Sequence, residues 1–300
     1  MCRALGEQGA ETHALLGPTS NPWRLDGEHR LVRHAIDLRD GEAVRRVVTA
    51  VRPTVIYHLA SHGGYPHQSD VFRIIETNVL GLTTLLMACE AIDYRLFVHA
   101  GSSSEYGRKS APMREHHELV PESVYGVSKA AQSLLCRQWS RERKRPIVVF
   151  RVFSAYGPLE EPTRLIPRLL TAHLDDVPIA LVSPRTSRDF IYVDDVTEAM
   201  LKIDQLTSLP GAILNLGTGV QTALGDLVHT LESITDKPVK ARWGTMPPRP
   251  WDTDTWVADA TRLRDALGWI PSISVLEGLE RSLRWFRSNR RYYPADAAPP

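Results

Sequence analysis

Phe97-Val98-His99-Ala100-Gly101-Ser102-Ser103-Ser104-Glu105-Tyr106-Gly107, followed after a polar loop by Tyr125-Gly126-Val127-Ser128-Lys129, decides how the rest of the chain is read. The first half is apolar and β-branched, as a buried strand is. It runs into small hydroxyl residues at its carboxyl end, where open α/β sheets place their ligands. The second half starts a helix. On a helix Tyr125 and Lys129 are four residues apart and share a face, so an ammonium lies close to the phenol. A free phenol has a pKa of about 10 and is a poor base at neutral pH; lowering it by roughly three units takes about 4 kcal/mol of preferential stabilisation of the phenolate. A neighbouring positive charge supplies such stabilisation. A serine hydroxyl at the strand end would then hold a substrate oxygen while Tyr125 moves its proton. The competing reading is a surface Tyr and Lys on an ordinary amphipathic helix, and the serine run upstream favours the site.

Composition sets the bounds. The 300 residues suffice for one large core or two domains, and the apolar and charged fractions are those of a globular protein. A net charge of +1 offers no field for nucleic acid or membrane surfaces. No apolar run in the sequence approaches the roughly 20 residues a membrane span needs. Cys2, Cys89 and Cys136 are scattered, without metal spacing, and fit reduced thiols in the cytoplasm. The tail from Pro294 to Pro300 reads as disordered.

Strand-Gly-Ser-Ser-Ser-Glu-Tyr-Gly followed by Tyr-Gly-Val-Ser-Lys resembles the extended short-chain dehydrogenase/reductases, the group of nucleotide-sugar epimerases, 4,6-dehydratases and 4-ketoreductases. Later segments agree in order: Arg151-Val152-Phe153-Ser154-Ala155-Tyr156-Gly157-Pro158, Arg188-Asp189-Phe190-Ile191-Tyr192-Val193-Asp194-Asp195, and Asn215-Leu216-Gly217-Thr218-Gly219. The resemblance implies an α/β fold with a doubly wound parallel sheet, a dinucleotide-binding domain over residues 1–160 and a smaller substrate lobe over 161–290, with 291–300 as a disordered tail. It also implies NAD or NADP as cofactor, a nucleotide-diphosphate sugar as substrate, and a homodimer built from the helices after Asp70 and Pro121.

The family's opening strand and glycine-rich turn, which hold the pyrophosphate, have no counterpart here. Met1 to Gln8 resembles the second half of the first helix, Gly9 its stop, and Glu11 to Leu16 the second strand. Two explanations are open: a start upstream of Met1, favoured because the downstream site residues look intact, or a truncated relative that binds cofactor weakly. Asp37, beside Leu38, matches the acid that bonds the adenine, although a helix cap is also open and fits Asp40 better. Gly17-Pro18-Thr19-Ser20 lacks the acid that marks NAD and so leans to NADP, with Arg24 as a phosphate partner. Leu59-Ala60-Ser61 matches the backbone that passes under the cofactor. His62 and His67, in the next loop, read as solvated residues before substrate contacts. Asn78 matches an asparagine that braces the cofactor site.

Counting back four residues from Tyr106 puts the hydroxyl that contacts the reacting oxygen at Ser102, with Ser103 beside it. In the dehydratases an acid follows directly. Here Ser103 and Ser104 stand in those places and Glu105 comes one residue late, which disfavours dehydration unless a bulge realigns it. On the substrate side the resemblance implies roles for Ser154, Arg164, Arg188 and Arg249, with Arg249 the diphosphate ligand, since a guanidinium suits phosphate oxygens. The leading reading is an NAD(P)-dependent epimerase or 4-ketoreductase working through Ser102, Tyr125 and Lys129. A 4,6-dehydratase and a catalytically dead binding protein are the alternatives.

Overall fold

The protein is described here over residues 1–293 of a computed structural model; the tail from Pro294 lies outside the described residues. Its strands in chain order are β1 (Thr12–Leu16), β2 (Leu31–Ala35), β3 (Val55–His58), β4 (Leu96–Ser102), β5 (Ile147–Val152), β6 (Ser154–Tyr156), β7 (Ile179–Leu181), β8 (Ser187–Arg188), β9 (Phe190–Tyr192), β10 (Ile213–Leu216), β11 (Thr222–Ala223) and β12 (Ala241–Trp243). One sheet runs in the order β10-β5-β4-β3, and β1 and β2 form a parallel pair of their own. β3 and β4 are parallel, with Val55 opposite Leu96 and His58 opposite His99. The chain groups into two compact units that are discontinuous in sequence: residues 1–101, 127–149 and 200–213, and residues 102–126, 150–199 and 214 onward.

The first unit is built on helices whose ends the sequence specifies. Asp40 caps the Gly41–Val51 helix by accepting the Ala43 N–H at 3.0 Å, and Arg52 ends it in the left-handed conformation at φ 48°. Val44 and Val48, four residues apart on that helix, face the core made with Leu82, Leu85, Leu86, Phe97 and Val149. The helical stretch from Val71 to Cys89 is α-helical at both ends and widens to a π turn over Glu76–Leu80. Arg73 and Glu76 interrupt its apolar run in the sequence, yet its 19 residues keep a mean hydropathy of 1.4, so by length and composition it could cross a membrane. This corrects the sequence-based expectation on that point. Length and hydropathy are shared by core helices, and 39% of its most apolar stretch is buried.

In the second unit β6 pairs with β9 and β7 with β12, both parallel, while β8 and β11 are antiparallel. The sequence reads Ser154 to Pro158 as a loop, and Ser154–Tyr156 form a short strand instead. Asp189 is fully buried and accepts four hydrogen bonds: from Thr218 N (2.8 Å) and Oγ1 (2.7 Å), Gly219 N (3.0 Å) and Ala258 N (3.1 Å). This explains the Gly217-Thr218-Gly219 run, which closes around a carboxylate. The sequence offers Asp194 or Asp195 as the cap of a helix beginning near Val196. Instead that helix runs Val193–Met200 with both acids in its first turn, and the Asp195 side chain accepts from Ser272 N (3.1 Å) and Ile273 N (3.0 Å), fastening a distant segment. Arg290–Tyr292 form a 3-10 turn, after which the buried Tyr293 donates its hydroxyl to the Glu160 carbonyl at 2.7 Å.

Candidate active site

β4 ends in a compact turn. Ser102 caps a 3-10 turn over Ser103–Glu105, its Oγ accepting the Ser104 N–H at 3.1 Å, while Glu105 Oε1 accepts the Ser102 N–H at 2.8 Å. This is a capping box at minimum length. The other Glu105 oxygen takes Arg151 Nε at 2.7 Å, and neither side chain reaches solvent, at 0% and 2% exposure. Arg151 also donates to the Glu115 carbonyl at 3.1 Å and lies 4.6 Å over the Tyr106 ring. The Tyr106 hydroxyl donates to Asn215 Oδ1 at 2.6 Å, and burial pushes its phenol up to about 12. Glu105 is therefore committed to holding the serine turn, and no bulge presents it as a free acid.

Two glycines let the chain close here. Gly107 has φ 65°, and a Cβ on it would lie 1.9 Å from the Val120 carbonyl oxygen. A Cβ on Gly126 would lie 2.7 Å from the Ser104 carbonyl oxygen. The start of the Val124–Arg143 helix, and with it the partly exposed Tyr125, is thereby seated on the serine turn.

Further along that helix, in the first unit, Lys129 is buried and donates from Nζ to the Ala100 carbonyl on β4 at 2.9 Å. Ser128 accepts from Asn78 Nδ2 at 2.8 Å. The same Nδ2 donates to the His62 carbonyl at 2.8 Å, and Asn78 Oδ1 accepts the His62 N–H at 2.7 Å. The Asn78 carbonyl, inside the π turn, accepts from Gln132 Nε2 at 2.6 Å. Asn78 thus ties three segments together, as π turns at functional sites often do. Below it, His58 and His99 meet Nδ1 to Nδ1 at 2.9 Å with ring centroids 5.1 Å apart. Burial, with the Lys129 ammonium adding, pushes His58 down to about 3; burial, His58 and Lys129 push His99 well below the usual range. Both are neutral, and both Nε2 atoms are buried without a hydrogen-bond partner.

The other expected cofactor residues divide. Leu59, Ala60 and Ser61 are exposed directly after β3, leaving apolar and small side chains open for a ligand to lie against. Asp37 is held by Arg39, from N at 2.9 Å and Nη2 at 2.7 Å, and these bonds keep its carboxyl below the usual range. Leu38 packs against the unit's apolar core. The Arg24 guanidinium lies 4.5 Å over Trp23. His67 stacks on Tyr65 with centroids 5.7 Å apart. Among the described residues, no group of three or more His, Cys, Asp or Glu is placed to hold a metal.

On the second unit Arg188 pairs with Asp252 at 2.8 Å, and burial pushes its guanidinium below the usual range, with Asp252 opposing and Arg249 and Arg164 adding. Arg249 likewise adds to the burial that lowers Arg168. Arg249 is thus within electrostatic reach of both Arg188 and Arg168, and Arg188 of Arg164. Arg164 is held by Glu160 at 2.9 Å, and Asp252 also accepts the Arg249 N–H at 2.8 Å. Ser154 lies in β6, its N–H donating to the Asp189 carbonyl at 2.9 Å. Two partners escaped the sequence reading: Arg151, signalled only as the one charge in an apolar strand, and Trp256, whose Nε1 donates to Ser103 Oγ at 3.1 Å.

These elements define a Rossmann-like α/β protein with chemistry-bearing residues at the carboxyl end of its sheet. Residues 1–217 match the NAD dependent epimerase/dehydratase family, and the chain belongs to that family of enzymes. It is 27% identical over 274 residues to the UDP-glucuronate 4-epimerase of Thermodesulfobacterium geofontis, covering 89% of this chain and 84% of the relative. It is 26% identical over 282 residues to the dTDP-glucose 4,6-dehydratase of Neisseria meningitidis serogroup B, covering 86% and 79%. Among solved structures, UDP-glucuronic acid 4-epimerase from Bacillus cereus in complex with NAD superposes with a TM-score of 0.84 at 25% identity, covering 98% of this chain and 94% of that one. The neighbour carries NAD, so the expected lean to NADP gains no support from it.

Proposed function

We propose that the chain is an NAD-dependent nucleotide-sugar 4-epimerase acting on a uridine-diphosphate sugar. The observation that carries this reading is the junction of the two sequence halves: two buried serines at the end of β4, with the helix start that bears Tyr125 packed against their turn. Ser102 and Ser103 hold the C4 oxygen of the sugar, and Tyr125 takes up and returns its proton. Lys129 stands one turn further along the helix, fixed to β4, where its charge favours the phenolate. Leu59, Ala60, Ser61, Asn78 and Lys129 fit the nicotinamide end of the cofactor, the first three as an open bed and Asn78 as a brace. NAD, when bound, supplies the hydride acceptor and donor at the sugar carbon. The arginines at 164, 168, 188 and 249 carry more positive charge than Glu160 and Asp252 balance, which suits a diphosphate.

Epimerisation is preferred to dehydration because Glu105 is enclosed with Arg151. The test is to incubate the chain with NAD and UDP-glucuronate or UDP-glucose. A C4 epimer of unchanged mass supports the reading. A product lighter by one water assigns dehydration instead, net formation of reduced cofactor with oxidation of the sugar a ketoreductase running in reverse, and absence of both NAD uptake and turnover a binding protein. Tyr125→Phe should lower turnover about 10²–10⁴-fold while leaving NAD binding intact.

We also propose a homodimer in the cytoplasm. Phe72 and Met87 stand 82% and 61% exposed on the Val71–Cys89 stretch, an apolar face suited to a second copy. Cys2, Cys89 and Cys136 are not in disulfides. Sedimentation giving a monomer at micromolar concentration, or recovery of the protein with membranes, would count against this.

A further inference from the structure

Ser102 and Ser103 differ from ordinary buried hydroxyls in what is left over. A serine hydroxyl has one proton to give and two lone pairs to fill. Ser102 Oγ accepts the Ser104 N–H at 3.1 Å, and Ser103 Oγ accepts the Trp256 indole N–H at 3.1 Å. An indole nitrogen only donates, so the direction of the second bond is fixed by chemistry. In both residues the protein fills a lone pair, and among the described residues no acceptor takes the proton.

Trp256 is itself held from several sides. It is buried, its backbone N–H donates to Gln221 Oε1 at 3.1 Å, and it packs with Tyr106, Met113 and Phe153. The Arg188 guanidinium lies 5.2 Å over its ring and is anchored by Asp252 at 2.8 Å. A cation over the indole face draws electron density from the ring and makes the N–H a stronger donor. Bonds in such a chain reinforce one another in a low-dielectric interior.

We propose that Trp256 is a positioning residue that commits the Ser103 hydroxyl to donate, so that Ser102 and Ser103 form a two-proton cradle for the oxygen of the sugar on which Tyr125 acts. This rests on the epimerase reading above. It adds that the serine pair is polarised in advance, before substrate arrives, and that the polarity is imposed from Arg188 through the indole. Two donors converging on one oxygen stabilise it as negative charge develops there.

Trp256→Phe keeps an aromatic ring in the stack and deletes the donor along with part of the indole, and the Ser103→Ala background separates the two effects. Trp256→Phe should lower kcat roughly tenfold, about the value of one hydrogen bond, with KM for the nucleotide sugar unchanged. In a Ser103→Ala background the same substitution should have no further effect on kcat. Equal kcat for Trp256→Phe and the parent, or an effect that persists in the Ser103→Ala background, overturns the proposal. A second readout needs no substrate or cofactor. In ¹H–¹⁵N spectra the indole resonance that disappears in Trp256→Phe should move upfield in Ser103→Ala; an unmoved resonance overturns the proposal as well. Failure of the epimerase reading is distinguishable, because it would appear in the parent chain as a product lighter by one water, a net change in cofactor redox state or no turnover, whatever happens to the indole resonance.

Discussion

Two buried polar networks, one in each unit, are finished differently. Around Glu105 every strong group is answered: Ser102 N–H and Arg151 share the carboxylate, Arg151 reaches the Glu115 carbonyl, and Tyr106 and Asn215 close the far side. Around His58 the network stops short. The two imidazoles satisfy each other through Nδ1, while both Nε2 atoms are buried without partners. The first network keeps charges inside the protein; the second keeps its groups neutral. A carboxylate and a guanidinium can stay ionised in an interior only when each lone pair and proton is met. An imidazole has the cheaper course of remaining uncharged.

The sharpest way to break this contrast is Arg151→Met, which leaves the Glu105 charge enclosed with nothing opposite. Stability should fall by about 3–5 kcal/mol, read from denaturant or thermal unfolding, and Glu105→Gln combined with Arg151→Met should recover much of it. A single variant that unfolds like the parent would mean the pair is not what holds the turn. The neutral network predicts an effect that is smaller near neutral pH and grows with acid. His58 is held down to about 3 in the fold, against about 6.5 when exposed. The unfolded chain therefore takes up protons first as pH falls. Stability is full above about pH 6.5 and declines towards pH 3, by about 1.4 kcal/mol per pH unit for each histidine involved. His58→Leu combined with His99→Leu should flatten this acid limb. An acid limb as steep as the parent's would place the sensitivity elsewhere.

The same contrast explains what could be read from the sequence. Local signals were sufficient for the Gly41–Val51 helix with its Asp40 cap and for the strand into the serine run, because period and capping act within a few residues. Asn78 was legible as an out-of-place polar residue in a helix. The partners that finish the site were not: Arg151 is 46 residues from Glu105, and Trp256 is 153 from Ser103. Nothing in a linear pattern pairs a charge in an apolar strand with a particular acid, or an indole with a particular hydroxyl. Asp195 misled for the opposite reason, since its place near a helix start suggested a local role and its oxygens serve residues 272 and 273.

The widened turn at Glu76–Leu80 has a consequence for how the chain can change. It accommodates a residue beyond what a regular helix would hold, and the Gln132 amide seals the carbonyl that is displaced. Deleting one residue between Phe72 and Thr77 would let ordinary winding resume, at about 100° of rotation per residue. Asn78 would then swing away from both His62 and Ser128. Insertions and deletions in this helix are therefore filtered by angle rather than by length.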